Sequence, residues 1–153
     1  MLRRLFVPEE EISALLPRAA RTLGKGTSVG KPTLVIVDDD TDFLVELQEV
    51  LCSKGYAVVA VSDPRAAVRV IEEAKPDAVM LDLRMDEKDG IEIAKELSQN
   101  PATVKVPVIA MTAYHTEEQV ERLKSSSTVK SFLIKPLLIS DVIAKLEEVR
   151  GPR

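Results

Sequence analysis

The stretch Thr33-Leu-Val-Ile-Val-Asp-Asp-Asp40 decides the reading of this chain: an unbroken apolar and β-branched run meets three acids in succession. A short continuous run of this kind marks a strand covered on both faces, as in a parallel sheet. From Asp40 to Lys54, Phe43, Leu44, Leu47, Val50 and Leu51 form the apolar stripe of an amphipathic helix, which Gly55 is placed to stop. The same alternation runs to the end of the chain. Strand patterns recur at Tyr56 to Val61, Ala78 to Leu81, Val106 to Thr112 and Ser131 to Ile134. Helical stripes follow each: Ala67, Val70 and Ile71 after an Asp63-Pro64 start; Ile91, Ala94 and Leu97; Glu117 to Leu123; and Ile139 to Val149. Five βα units predict an α/β fold, a doubly wound parallel sheet with helices on both faces and right-handed crossovers. Such sheets carry their sites at the carboxyl ends of the strands, where the strand order reverses.

The length, 153 residues, suits one domain. Hydrophobic residues at 45% and charged residues at 30% suit a globular chain with a core. A net charge of −4 offers no general attraction to nucleic acid or anionic membranes, and 3% aromatic residues leave little for base stacking. The single cysteine, Cys52, excludes an intramolecular disulfide, and its apolar neighbours suggest a buried, inert thiol. No apolar run is long enough for a membrane span or a signal peptide, so a cytoplasmic location is expected.

Residues 1–30 break the βα rhythm. Ile12, Leu15, Leu16, Ala19 and Leu23 form a helical stripe interrupted by Pro17, and Gly24 to Gly30 reads as a flexible linker. The expected organisation is an N-terminal helical extension over residues 1–30 and one domain over 31–150.

The strand ends hold the chemistry. Helix capping accounts for some of the acids that follow strand one, with Asp40, Thr41 or Asp42 as the cap. It does not require Asp38 and Asp39, which at the end of a buried strand repel unless a cation or a partner lysine neutralises them; the other reading is a metal site. With a strand order of 2-1-3-4-5, strands one and three are neighbours, and Asp82 at the end of strand three joins the acid pair. Oxygen ligands of this kind suit a hard cation such as Mg²⁺. Thr112 ends strand four and Lys135 follows strand five, each unremarkable alone. Together, Asp39, Asp82, Thr112 and Lys135 lie 43, 30 and 23 residues apart at successive strand ends. Carboxylate nucleophile, metal, hydroxyl and ammonium are the parts needed to receive a phosphoryl group.

At Leu34 to Asp40, Val79 to Met85, Asp89-Gly90, Val108 to Ala113 and Phe132 to Pro136, the chain resembles the receiver domains of two-component response regulators, over about residues 31 to 150. The resemblance implies a flavodoxin-like five-stranded sheet with five helices and a signalling domain rather than a turnover enzyme. It makes Asp82 the phosphoacceptor and Asp38, Asp39, Asp82 and the Arg84 carbonyl the Mg²⁺ ligands. Thr112 and Lys135 would contact the phosphoryl oxygens, and Phe132 falls at the family's aromatic switch position. The implied partner is a histidine kinase or a histidine phosphotransfer protein. A face formed by the fourth helix, fifth strand and fifth helix would serve homodimerisation or partner binding, and would also be a dock for the leader.

The family usually has proline where Asp86 stands, and with Glu87 beside it the loop should repel an incoming phosphoryl dianion. Arg84 and Tyr114 occupy positions that tune acyl phosphate lifetime in this family, whereas His115 reads as a surface residue. Two other functions compete. A haloacid dehalogenase-type phosphohydrolase needs Thr or Val where Asp42 stands. A phosphorylation-independent interaction module of the same fold usually lacks one of the acids or the lysine, and all are present. No DNA-binding domain is recognisable, so the chain reads as a stand-alone receiver or a part of something larger.

Overall fold

The computed structural model describes residues 30–113, 116–124 and 126–150. The leader's stripe, Tyr114 and His115 lie outside the described residues. The elements are β1 (Thr33–Val37), α1 (Thr41–Ser53), β2 (Ala57–Val61), a 3₁₀ turn (Pro64–Ala66) leading into α2 (Ala67–Ala74), β3 (Ala78–Asp82), α3 (Gly90–Gln99), β4 (Val108–Thr112), α4 (Glu117–Lys124), β5 (Val129–Ile134) and α5 (Ile139–Arg150). The strands form one parallel sheet in the order β2-β1-β3-β4-β5, as the βα rhythm predicts.

Strand alternation divides the core. Val35, Val37, Val79 and Leu81 point to the face covered by α2 and α3, where they meet Val70, Ile71, Ile93 and Leu97. Leu34, Ile36, Met80, Ile109 and Met111 point the other way, onto Leu44, Leu47 and Leu51 of α1 and Val142 and Leu146 of α5. Each of β1, β3 and β4 is buried along its whole length. β5, at the sheet edge, alternates instead, with Phe132 39% and Ile134 50% exposed.

Local chemistry sets the element ends. Asp40 caps α1 by accepting from the Phe43 N–H, and Asp89 caps α3 by accepting from Ile91. Gly55, at φ +96, makes the left-handed turn that ends the α1 segment. One expectation fails here: Cys52 is exposed, because the buried stripe of α1 runs through Leu44, Leu47 and Leu51 and turns the residue after Leu51 toward solvent.

Candidate phosphoacceptor site

Register brings the acids together. Val37 pairs with Leu81 across β1 and β3, so the next residues, Asp38 and Asp82, leave the sheet side by side. Asp82 pairs with Met111, which puts Thr112 one step beyond it on β4. Backbone bonds tie the ends in place: Asp38 N–H donates to the Val61 carbonyl at 3.1 Å, Leu83 N–H to Met111 at 3.0 Å and Lys135 N–H to Thr112 at 2.8 Å. All five strand-end residues singled out from sequence therefore surround one cleft.

Capping accounts for Asp40 but not for the pair before it, since Asp40 alone caps α1. One carboxylate oxygen each from Asp38, Asp39 and Asp82 lies within 4.8 Å of the others, Asp38 and Asp82 buried and Asp39 half-buried. Lys135 is the counter-charge. Its Nζ lies 2.5 Å from Asp38 Oδ2 and 3.8 Å from Asp82 Oδ1, and 4.2 Å from the Phe43 ring centroid. Asp38 also accepts from the Asp40 N–H at 3.0 Å.

One lysine does not neutralise three acids. Burial, then the neighbouring Asp38, push the Asp82 carboxyl up to about 6, against the lesser pull of Lys135 and the Arg84 N–H. Burial raises Asp38 as well, partly offset by its hydrogen bond from Lys135. Three close oxygen donors short of positive charge fit a small divalent cation, which would lower both carboxyls toward their ionised forms.

The β3–α3 loop closes one side of the cleft. Arg84 N–H approaches Asp82 Oδ1 at 3.4 Å, and Asp86 N–H donates to Asp39 Oδ2 at 3.3 Å. Arg65 spans from Asp63, at 3.0 Å, to Glu87, at 3.1 Å, so the Glu87 charge anticipated beside the acceptor is drawn toward β2 instead. Asp86 is exposed. At the loop's end Gly90 packs against the backbone of Asp82 and Leu83. Thr112 is buried, and Phe132 is turned toward solvent.

Sequence reasoning missed three contributors: the Asp86 N–H, the Arg65 clamp and the Phe43 ring under Lys135. Phe43 reads only as part of a helix stripe, and the other two contacts join segments whose proximity no spacing announces.

Comparison with known proteins agrees with the fold. Residues 34–147 match the family model of the response regulator receiver domain. The transcriptional regulatory protein PdtaR of Mycobacterium tuberculosis is 32% identical over 115 residues, 74% of this chain and 54% of that protein. ZraR of Escherichia coli is 39% identical over 117 residues, 75% of this chain and 25% of that protein. The chain thus spans about half or less of these relatives. Among solved structures, the receiver domain of the sensor histidine kinase PA1611 of Pseudomonas aeruginosa, with magnesium in its active site cleft, superposes with a TM-score of 0.72 at 26% identity, covering 80% of this chain and 100% of that one. The chemotaxis protein CheY4 of Vibrio cholerae shares the fold, with a TM-score of 0.73 at 22% identity over 78% of this chain and 99% of that one.

Proposed function

Since the chain belongs to the response regulator receiver domain family, we propose that it accepts a phosphoryl group on Asp82 from the phosphohistidine of a histidine kinase or histidine phosphotransfer protein. The observation that supports this most directly is the position of Asp82: a buried carboxylate within 4.8 Å of two others and 3.8 Å from an ammonium, at the open end of the sheet. An Asp82 carboxylate oxygen attacks phosphorus as the phosphorus–nitrogen bond of the donor breaks. An acyl phosphate forms, and the departing imidazole keeps the electron pair and takes a proton from solvent.

Asp38, Asp39, Asp82 and the Arg84 carbonyl are the residues we assign to hold Mg²⁺, whose charge offsets that of the phosphoryl oxygens when it is bound. Lys135 neutralises a phosphoryl oxygen by turning from Asp38, and the Thr112 hydroxyl donates to another. Thr112 movement then frees space for Phe132 to turn inward, changing the face formed by α4, β5 and α5. No observation favours the phosphohydrolase: Asp42, where that chemistry needs Thr or Val, is exposed on the first turn of α1. We assign residues 31–150 to the receiver domain and 1–30 to an extension.

Incubation with a small phosphodonor such as acetyl phosphate and MgCl₂ tests the reading. Intact mass should rise by one phosphoryl group, and neither Asp82→Asn nor protein treated with chelator should gain it. Undiminished modification of Asp82→Asn would overturn the assignment.

A further inference from the structure

Lys135 is held by two groups of different character. Its Nζ meets Asp38 Oδ2 at 2.5 Å and sits over the Phe43 ring, 4.2 Å from the centroid. The main chain is fixed at both residues: the Lys135 N–H donates to the Thr112 carbonyl at 2.8 Å, and the Phe43 N–H donates to the Asp40 cap of α1 at 3.1 Å. The ring is half-buried and packs on the core layer between the sheet and α1 and α5. With Leu47, Pro136 and Ile139 it lines an apolar groove beside the lysine.

The two contacts answer differently when the ammonium moves. The ion pair with Asp38 is lost once Nζ turns away from Oδ2, whereas the negative face of an aromatic ring attracts a cation out to about 6 Å from its centroid. Asp82 Oδ1 lies 3.8 Å from Nζ, so the turn toward a phosphoryl group on Asp82 is short and keeps the ammonium within reach of the ring. Water is the competing destination. The lysine side chain is 19% exposed, an ammonium is strongly hydrated, and its stem regains rotamer freedom in solvent. The ring opposes that escape by favouring the rotamer that faces the cleft even while Asp38 is disengaged.

Building on the phosphoacceptor role assigned above, we propose that Phe43 is a positioning residue for phosphoryl transfer, acting through Lys135: its ring holds the ammonium over the cleft while that group passes from Asp38 to a phosphoryl oxygen. The contribution is to rate rather than to the possibility of reaction, because an aliphatic residue at this place leaves Lys135, Asp38 and Asp82 present. The attraction comes from the charge of the ring face, which separates it from the packing that any apolar side chain supplies.

Fluorinating the ring distinguishes the two, since each fluorine withdraws charge from the face while changing the shape little. With acetyl phosphate and MgCl₂, the labelling rate read from intact mass should fall stepwise as mono-, di- and trifluorinated phenylalanine replace Phe43. The full series should reach about a fivefold loss, the scale of a partly desolvated cation–π contact, and Phe43→Leu should lose about as much. A flat series would overturn the proposal, and so would a loss confined to Phe43→Leu, which assigns the effect to packing. A second readout needs neither metal nor donor: the Lys135 Hε protons should resonate upfield of those of an exposed lysine and move downfield in Phe43→Leu, and an unmoved resonance refutes the contact. If the unsubstituted chain gains no phosphoryl group, the phosphoacceptor reading fails, a result distinct from a fluorinated series that labels at one constant rate.

Discussion

Gly90 lies so close to Asp82 that a β carbon on it would fall 2.1 Å from the Asp82 carbonyl oxygen and 2.8 Å from the Leu83 Cα. Both are backbone atoms at the end of a buried strand, so neither yields without moving Asp82. The first turn of α3 is thereby seated directly on the peptide that carries Asp82. Gly90→Ala should lose roughly 2–4 kcal/mol of stability in urea denaturation. It should also slow acetyl phosphate labelling more than an equally destabilising change remote from the cleft.

The elevated Asp82 carboxyl, at about 6, makes stability depend on pH. A carboxyl whose folded value is raised contributes stability below its unfolded value near 4, and that contribution is lost as pH rises toward 6. Asp82→Asn should therefore be more stable than the native chain by about 2 kcal/mol at pH 7.5, with the difference fading by pH 4. Thermal melts across this range, in chelator, check both the sign and the window.

Lys135→Ala removes the partner of buried Asp38. The loss should be about 1–3 kcal/mol at neutral pH, less than for a fully enclosed pair because the lysine side chain is 19% exposed. The same linkage makes this cost shrink in acid, where Asp38 and Asp82 are protonated. Added Mg²⁺ should recover part of it at neutral pH while leaving phosphoryl transfer slow, which melts and labelling rates measured side by side would show.

The receiver-domain resemblance makes Arg84 and Tyr114, both bulky, the residues expected to set phosphoryl lifetime. Replacing them together, as Arg84→Asn with Tyr114→Glu, should hasten loss of the acyl phosphate several-fold by opening a path for in-line water. Decay of the phosphorylated mass after donor removal measures this, and an unchanged or slower decay would refute shielding.

Much of this architecture is legible in residues 33–40 alone. An unbroken apolar run states that both faces are covered, and acids at its end state where chemistry sits, because burial and polarity leave direct marks on residue type. The order of the strands, and hence the meeting of Asp38 with Asp82, is what the receiver-domain resemblance implies, since open α/β sheets take more than one order. Cys52 shows where such reading stops. Apolar neighbours along the sequence do not share a helix face, and one step beyond Leu51 changes burial to exposure. The Asp86 contact is invisible for another reason: a backbone N–H is present at nearly every position, so residue identity carries no trace of where it points.

The edge position of β5 gives the cleft two halves of unequal endurance. Its acids issue from β1 and β3, inner strands buried along their length, whereas Lys135 follows β5, the last strand of the sheet among the described residues, which is partly exposed. Hydrogen exchange should show Met80 and Ile36 as the slowest amides and Ile134 and Lys135 among the quicker ones, by at least about tenfold. In brief excursions the anionic cradle then persists while its own cation detaches, and the molecule becomes, for that interval, a more demanding scavenger of positive charge than its resting form.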